Sequence, residues 1–97
     1  MIEYLKEFVR QEEYELIFDS LTEKQIDNFE VMENNVIEVI VYLKELKISN
    51  ITNIIIKRPD LFFRSIDTLK ELFASVDKDL LFHILEYEPT DLINFNI

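Results

Sequence analysis

The stretch Val36-Ile37-Glu38-Val39-Ile40-Val41-Tyr42-Leu43-Lys44-Glu45-Leu46-Lys47 decides the fold. Its first half is a β-branched run that a buried strand would use as readily as a helix. Two observations favour the helix. The apolar pattern continues through Leu43-Lys44-Glu45-Leu46, and no second strand-like segment with hairpin turn chemistry is present to pair with it. Asn35 reads as its N-cap, with Glu38 well placed against the helix dipole. Val36, Ile37, Val39, Ile40, Val41, Tyr42, Leu43 and Leu46 leave few positions for solvent, which predicts a central helix covered on most sides, with Ile40 and Leu43 in the core.

Towards the N-terminus, Thr22-Glu23-Lys24-Gln25 matches a capping box, and Leu21 with Ile26 can close a hydrophobic staple around it. A helix therefore starts at Glu23. Before it, Ile2, Leu5, Phe8 and Val9 lie at helical spacing, and Tyr14, Ile17, Phe18 and Leu21 extend the pattern beyond the polar Arg10 to Glu13. This is one long helix or two abutting ones.

Towards the C-terminus, Ser49 or Asn50 caps a short helix with Ile51, Ile54 and Ile55 on its apolar face, and Pro59 ends it near Arg58. Pro59 can itself open a brief helical turn that packs Leu61 and Phe62 inward. Ser65 caps a segment whose face is Ile66, Leu69, Leu72 and Phe73. Ser75 or Asp77 starts a last long helix with Val76, Leu80, Leu81, Ile84 and Leu85 buried, ended by Pro89. Leu92, Ile93, Phe95 and Ile97 make the tail too apolar to float free. The fold class is all-α: five to six helices in a compact bundle or a short stack of helix pairs, in one domain spanning residues 1–97.

Composition narrows the function classes. A chain of 97 residues with 48% apolar side chains can bury one modest core. There is no cysteine, so disulfides, thiolate metal sites and a cysteine nucleophile are excluded. There is no glycine either, and phosphate-cradling loops depend on it. Glu3, Lys6 and Glu7 interrupt the apolar positions of the first ten residues, unlike a signal peptide, and no apolar run is long enough for a membrane span. A cytoplasmic location is expected. The net charge is −10, and Met1 to Glu33 carries ten acidic and three basic side chains. Such a surface repels nucleic-acid phosphates and steers a basic protein towards itself. Equally, net negative charge keeps a small protein in solution.

The same plan appears twice along the chain. Leu43-Lys44-Glu45-Leu46 leads through a short helix to Arg58-Pro59-Asp60-Leu61-Phe62, and Leu69-Lys70-Glu71-Leu72 leads through a longer one to Glu88-Pro89-Thr90-Asp91-Leu92-Ile93. Periods near thirty residues are those of helical solenoids. The segment from Val41 to Phe63, VYLKELKISNITNIIIKRPDLFF, resembles the repeat of the mitochondrial transcription termination factor family, and the resemblance extends over Val36 to Ile93. Lys47 stands where a glycine is common in that family's turn. The resemblance implies a stack of helices, and a nucleic-acid-binding function that would rest on Lys57, Arg58 and Arg64.

Three constellations bear on chemistry. Glu12, Glu15 and Asp19 fall at i, i+3 and i+7 on one helix face, with Glu13 beside them. Like charges at that spacing are mildly destabilising, so the face is either simply solvated or meets a basic partner. Carboxylates without a tight loop are poor material for a metal site, and no metal or cofactor is expected. His83 has Asp79 four residues before it and Glu86 three after. Zinc binding or base catalysis there would need further partners that the sequence does not supply, so the reading is a surface histidine and no enzyme. Lys57, Arg58 and Arg64 form the basic cluster, whose simplest partners are Asp60, Asp67 or the acidic N-terminal face. The function expected is a non-enzymatic protein-binding module that uses Glu12, Glu13, Glu15 and Asp19 against a basic partner, as an inhibitor or immunity-type protein does. The alternatives are a minimal nucleic-acid-binding repeat using Lys57, Arg58 and Arg64, and a homodimer formed through surplus apolar surface.

Overall fold

The computed structural model describes residues 2–97, and among them every regular element is helical. Six α-helices run in chain order: α1 (Gln11–Ser20), α2 (Glu23–Val31), α3 (Glu33–Glu45), α4 (Ile51–Lys57), α5 (Ile66–Phe73) and α6 (Lys78–Tyr87). Three 3-10 helices punctuate them, at Glu3–Glu7, Pro59–Phe63 and Pro89–Phe95. The count exceeds the five to six helices expected, because the N-terminal segment and the two proline-opened segments each form a 3-10 turn of their own. The radius of gyration of 12.7 Å is that of a compact chain, close to the ~12.5 Å usual at this length.

The deciding stretch is helical. Val36, Val39, Ile40 and Leu43 are buried at i, i+3, i+4 and i+7. Cover on most sides does not occur: Ile37, Tyr42 and Leu46 are half-buried and Val41 is 44% exposed, because packing against α5 and the second 3-10 helix engages only one side of α3. The helix begins at Glu33, so Asn35 lies inside its first turn and is not the cap. Its side-chain amide donates instead to the carbonyls of Phe62 (2.8 Å) and Arg64 (2.7 Å), fastening the end of the second 3-10 helix to α3.

The end of α3 is a Schellman motif without glycine. Ile48 N–H donates to the Leu43 carbonyl and Lys47 N–H to that of Lys44, with Lys47 in the left-handed region at φ 67°. Leu43 and Ile48, the pair that usually closes such a motif, are both buried. Other caps follow the sequence. Thr22 and Gln25 make the reciprocal capping box, Ser65 accepts from Thr68 N–H, and Asp77 accepts from Leu80 N–H.

At the N-terminus one long helix does not form: the 3-10 helix Glu3–Glu7, which contains Leu5, and α1 are two helical segments with Phe8 to Arg10 between them. The Tyr4 hydroxyl donates to the Phe29 carbonyl at 2.6 Å, tying this turn to α2. Burial, with the charge of Glu33 adding to it, holds the Tyr4 hydroxyl well above its ordinary range, so it stays protonated and keeps donating. Phe29 is fully buried, with Phe63 edge-on to it at 4.9 Å between ring centroids and Phe62 at 6.0 Å.

The two proline segments share one local geometry. Arg58 (φ −137°, ψ 61°) and Glu88 (φ −148°, ψ 68°) leave the preceding helix in the same conformation, each proline then opens a 3-10 helix, and Leu61 and Asp91 close it on the carbonyls of Arg58 and Glu88. The last stripe departs from expectation at Leu80, which is 42% exposed, while Leu81, Ile84 and Leu85 face inward. In the tail Leu92 and Ile97 are buried, and Ile93 points to solvent.

Candidate acidic face and arginine cluster

Helix α1 packs on α4 and on the N-terminal 3-10 helix, with Tyr14 and Ile17 buried. That packing fixes which side is outward. At 100° per residue, Glu12, Glu15 and Asp19 fall within about 60° of one another opposite the buried side, and all three are exposed. Leu16 (54% exposed) flanks this stripe on one edge and Phe18 (40% exposed) on the other. Tyr14, Glu15, Phe18 and Asp19 line a shallow concavity of about 310 Å³. Phe18, expected to continue the buried pattern of Tyr14, Ile17 and Leu21, is therefore an apolar element of the acidic surface. Its ring lies 6.3 Å from that of Tyr14, and Lys6 sits over the Tyr14 ring at 4.8 Å.

Glu13 does not join the stripe. Its carboxylate accepts from the Arg10 backbone N–H at 3.0 Å and from Arg10 Nε, and so caps α1. That backbone hydrogen bond, with smaller contributions from the Arg10 side chain and the Thr52 hydroxyl that outweigh burial, holds Glu13 below the usual carboxylate range. The cap turns Glu13 towards α4 and away from the partner-facing side assumed from spacing. Arg10 also pairs with Glu12 at 3.4 Å, but both side chains are at least 70% exposed, and such a pair contributes little.

The basic cluster is divided. Lys57 is exposed. Arg58 meets Asp60 in a two-point pairing (Nε–Oδ1 3.0 Å, Nη2–Oδ2 2.9 Å), and Arg64 Nη2 lies 3.8 Å from the same carboxylate. Partial burial pushes the Asp60 carboxyl up, but the Arg58 hydrogen bonds and the charges of Arg58 and Arg64 outweigh it and hold the group below its ordinary value. Both arginines also donate to the backbone oxygen of Ile97, at 2.6 and 2.9 Å. Asp60, anticipated as an ion-pair partner, thus takes that role, and Ile97 is a partner that spacing gave no reason to suspect.

His83 is exposed beside Tyr87, with ring centroids 5.0 Å apart. Glu86 is committed elsewhere. Its carboxylate accepts from Ser49 N–H (2.7 Å), Ser49 Oγ (2.8 Å) and Asn50 N–H (2.9 Å), so it caps α4 from α6, a task expected of Ser49 or Asn50 themselves. Asn50 instead donates through its side chain to the Leu85 carbonyl. Among the described residues no group of three or more histidine and carboxylate side chains is placed to hold a metal ion, and no helix is long and apolar enough to cross a membrane.

An apolar cleft lies between the end of α3 and α6, lined by Leu46, Ile48, Leu81, Phe82 and Leu85 with Lys78 and Asp79 at its rim. The most exposed large apolar side chains, Val31, Ile93 and Tyr87, lie apart from it on α2, the third 3-10 helix and the end of α6. No family model, no curated protein and no solved structure matches this chain.

Proposed function

We propose that this chain is a non-enzymatic protein-binding module that presents the outer face of α1 to a basic surface on a partner protein, acting by occupancy as inhibitors and immunity-type proteins do. The observation that carries the reading is the arrangement of that face: Glu12, Glu15 and Asp19 exposed in a row, with Leu16 and Phe18 exposed on its two edges. Charged rows alone need no partner, and scattered apolar side chains alone are ordinary. Together they supply what an interface uses, apolar anchors whose burial provides affinity and carboxylates that set orientation and association rate.

The experiment is a comparison of two variants. A partner captured from the source cells should lose association rate, and the salt dependence of that rate, with the triple replacement Glu12→Lys, Glu15→Lys and Asp19→Lys; with Phe18→Ala it should dissociate faster. A partner that binds both variants as it binds the parent protein removes the α1 face from the interaction. The nucleic-acid reading is tested separately by mobility shift at low salt: retention of DNA or RNA at micromolar protein, lost when Lys57, Arg58 and Arg64 are neutralised, would replace our reading with that one. Of those three cations Lys57 alone is exposed, with Arg58 and Arg64 half-buried, which weighs against an extended phosphate-backbone interface.

A further inference from the structure

Arg58 and Arg64 come from opposite ends of the second 3-10 helix, and both turn towards one atom. Arg58 Nη2 is 2.6 Å and Arg64 Nη2 2.9 Å from the backbone oxygen of Ile97. The Arg58 side chain is 14% exposed and that of Arg64 30%, so both cations are partly withdrawn from water. Asp60 lies against both guanidiniums, and among the described residues the buried Arg58 Nη1 has no hydrogen-bond partner. Convergent, partly desolvated guanidiniums with a spare N–H are the chemistry of oxyanion recognition. Ile97 holds its oxygen there by two means. Its side chain is buried, and the turn before it is closed by Ile97 N–H to the Leu92 carbonyl and Asn96 N–H to that of Ile93. That closure places Asn96 in the left-handed region at φ 62°, a conformation asparagine tolerates better than most residues.

We propose that Arg58 and Arg64 form an oxyanion-binding site that Ile97 fills in cis, so that residues 92–97 act as a strap which a carboxylate or phosphate group displaces when it takes the clasp. The site is independent of the α1 face, and either reading can fail without the other.

The chain has three arginines, and Arg10, exposed near α1, is an internal control. Inorganic phosphate and acetate are each titrated while the Nε–Hε resonances of all three are followed by NMR. Replacing Ile97→Gly empties the apolar seat and frees the clasp. A strap closed nine-tenths of the time weakens apparent affinity about tenfold, so in this variant the Arg58 and Arg64 signals should respond at about tenfold lower anion concentration than in the parent protein, with Arg10 unmoved. Arg64→Gln in the same background should abolish the Arg58 response. Whichever anion acts identifies the source, phosphate or carboxylate. Asn96→Val disfavours the left-handed turn while leaving the seat intact, and gives the same reading if Ile97→Gly fails to fold. Equal response of all three arginines to both anions, or no difference between the opened variants and the parent, overturns the proposal.

Discussion

Lys47 adopts φ 67° because the Schellman closure of α3 demands a left-handed residue there, and a side chain with a Cβ resists it by about 1–2 kcal/mol. Glycine removes that resistance but has more freedom to lose on folding, about 0.5–1 kcal/mol. Lys47→Gly is therefore expected to raise stability by up to about 1 kcal/mol, read as a higher urea midpoint at unchanged slope; a destabilised variant would show that the turn is not strained. Glu86 makes the opposite case. Its carboxylate satisfies the Ser49 and Asn50 amides at the start of α4, and loss of such a cap costs about 0.5–2 kcal/mol. Glu86→Ala should fall in that range and Ser49→Ala well below it, since the two amides survive the loss of the hydroxyl. Asp60 carries a pH dependence with a definite sign. Its folded pKa lies below the ordinary 3.8, so its contribution is complete above the unfolded value and is lost as pH falls through the folded one. Acid titration of stability should be shallower below pH ~4 in Asp60→Asn than in the parent protein.

At the scale of elements, α3 organises the fold by a stripe one helix face wide. Truncating Ile40 or Leu43, both fully or almost fully buried, to alanine should cost about 2–5 kcal/mol through lost burial and the cavity left behind. Val41→Ala, on the exposed side, should change stability by less than about 1 kcal/mol, and equal losses at the three positions would refute the one-sided packing. What the sequence disclosed about these elements divides by range. Thr22 with Gln25, Ser65 with Thr68 and Asp77 with Leu80 act within four residues, so their caps were legible from spacing. Asn35 reaches 27 and 29 residues ahead, and Glu86 reaches back 36 and 37. No local rule says which distant backbone a side chain meets, so Asn35 looked like a cap that it is not, and Glu86 showed only as a carboxylate neighbour of His83. The same division runs through the site. The row of Glu12, Glu15 and Asp19 followed from periodicity, whereas the exposure of Phe18 depends on where α4 meets α1, and its spacing from Tyr14 and Leu21 suits a buried residue equally well.

For the whole molecule the governing quantity is a net charge of −10, of which the first 33 residues hold −7. Exposed carboxylates spread over a globule whose principal extents are 35 × 23 × 22 Å lie within one or two Debye lengths of one another at low salt, where the screening length is ~30 Å at 0.01 M. Their mutual repulsion opposes the compact state more than the expanded one. Added salt should therefore stabilise the fold between 0.01 and 0.15 M, where screening contracts to ~8 Å. Replacing Glu12, Glu15 and Asp19 by lysine changes the net charge from −10 to −4, since each replacement adds two units. Because all three side chains are exposed, the replacements forfeit no buried contact, and the triple variant should be at least as stable as the parent at low salt, with a smaller gain on adding salt. Urea melts at the two ionic strengths measure this without any partner. A variant that folds as well as its parent yet no longer engages a basic protein would show that the acidic row serves recognition and not the fold. One that is markedly destabilised at both salt concentrations would show instead that the row carries structure, and loss of binding by it could not then be assigned to the α1 face.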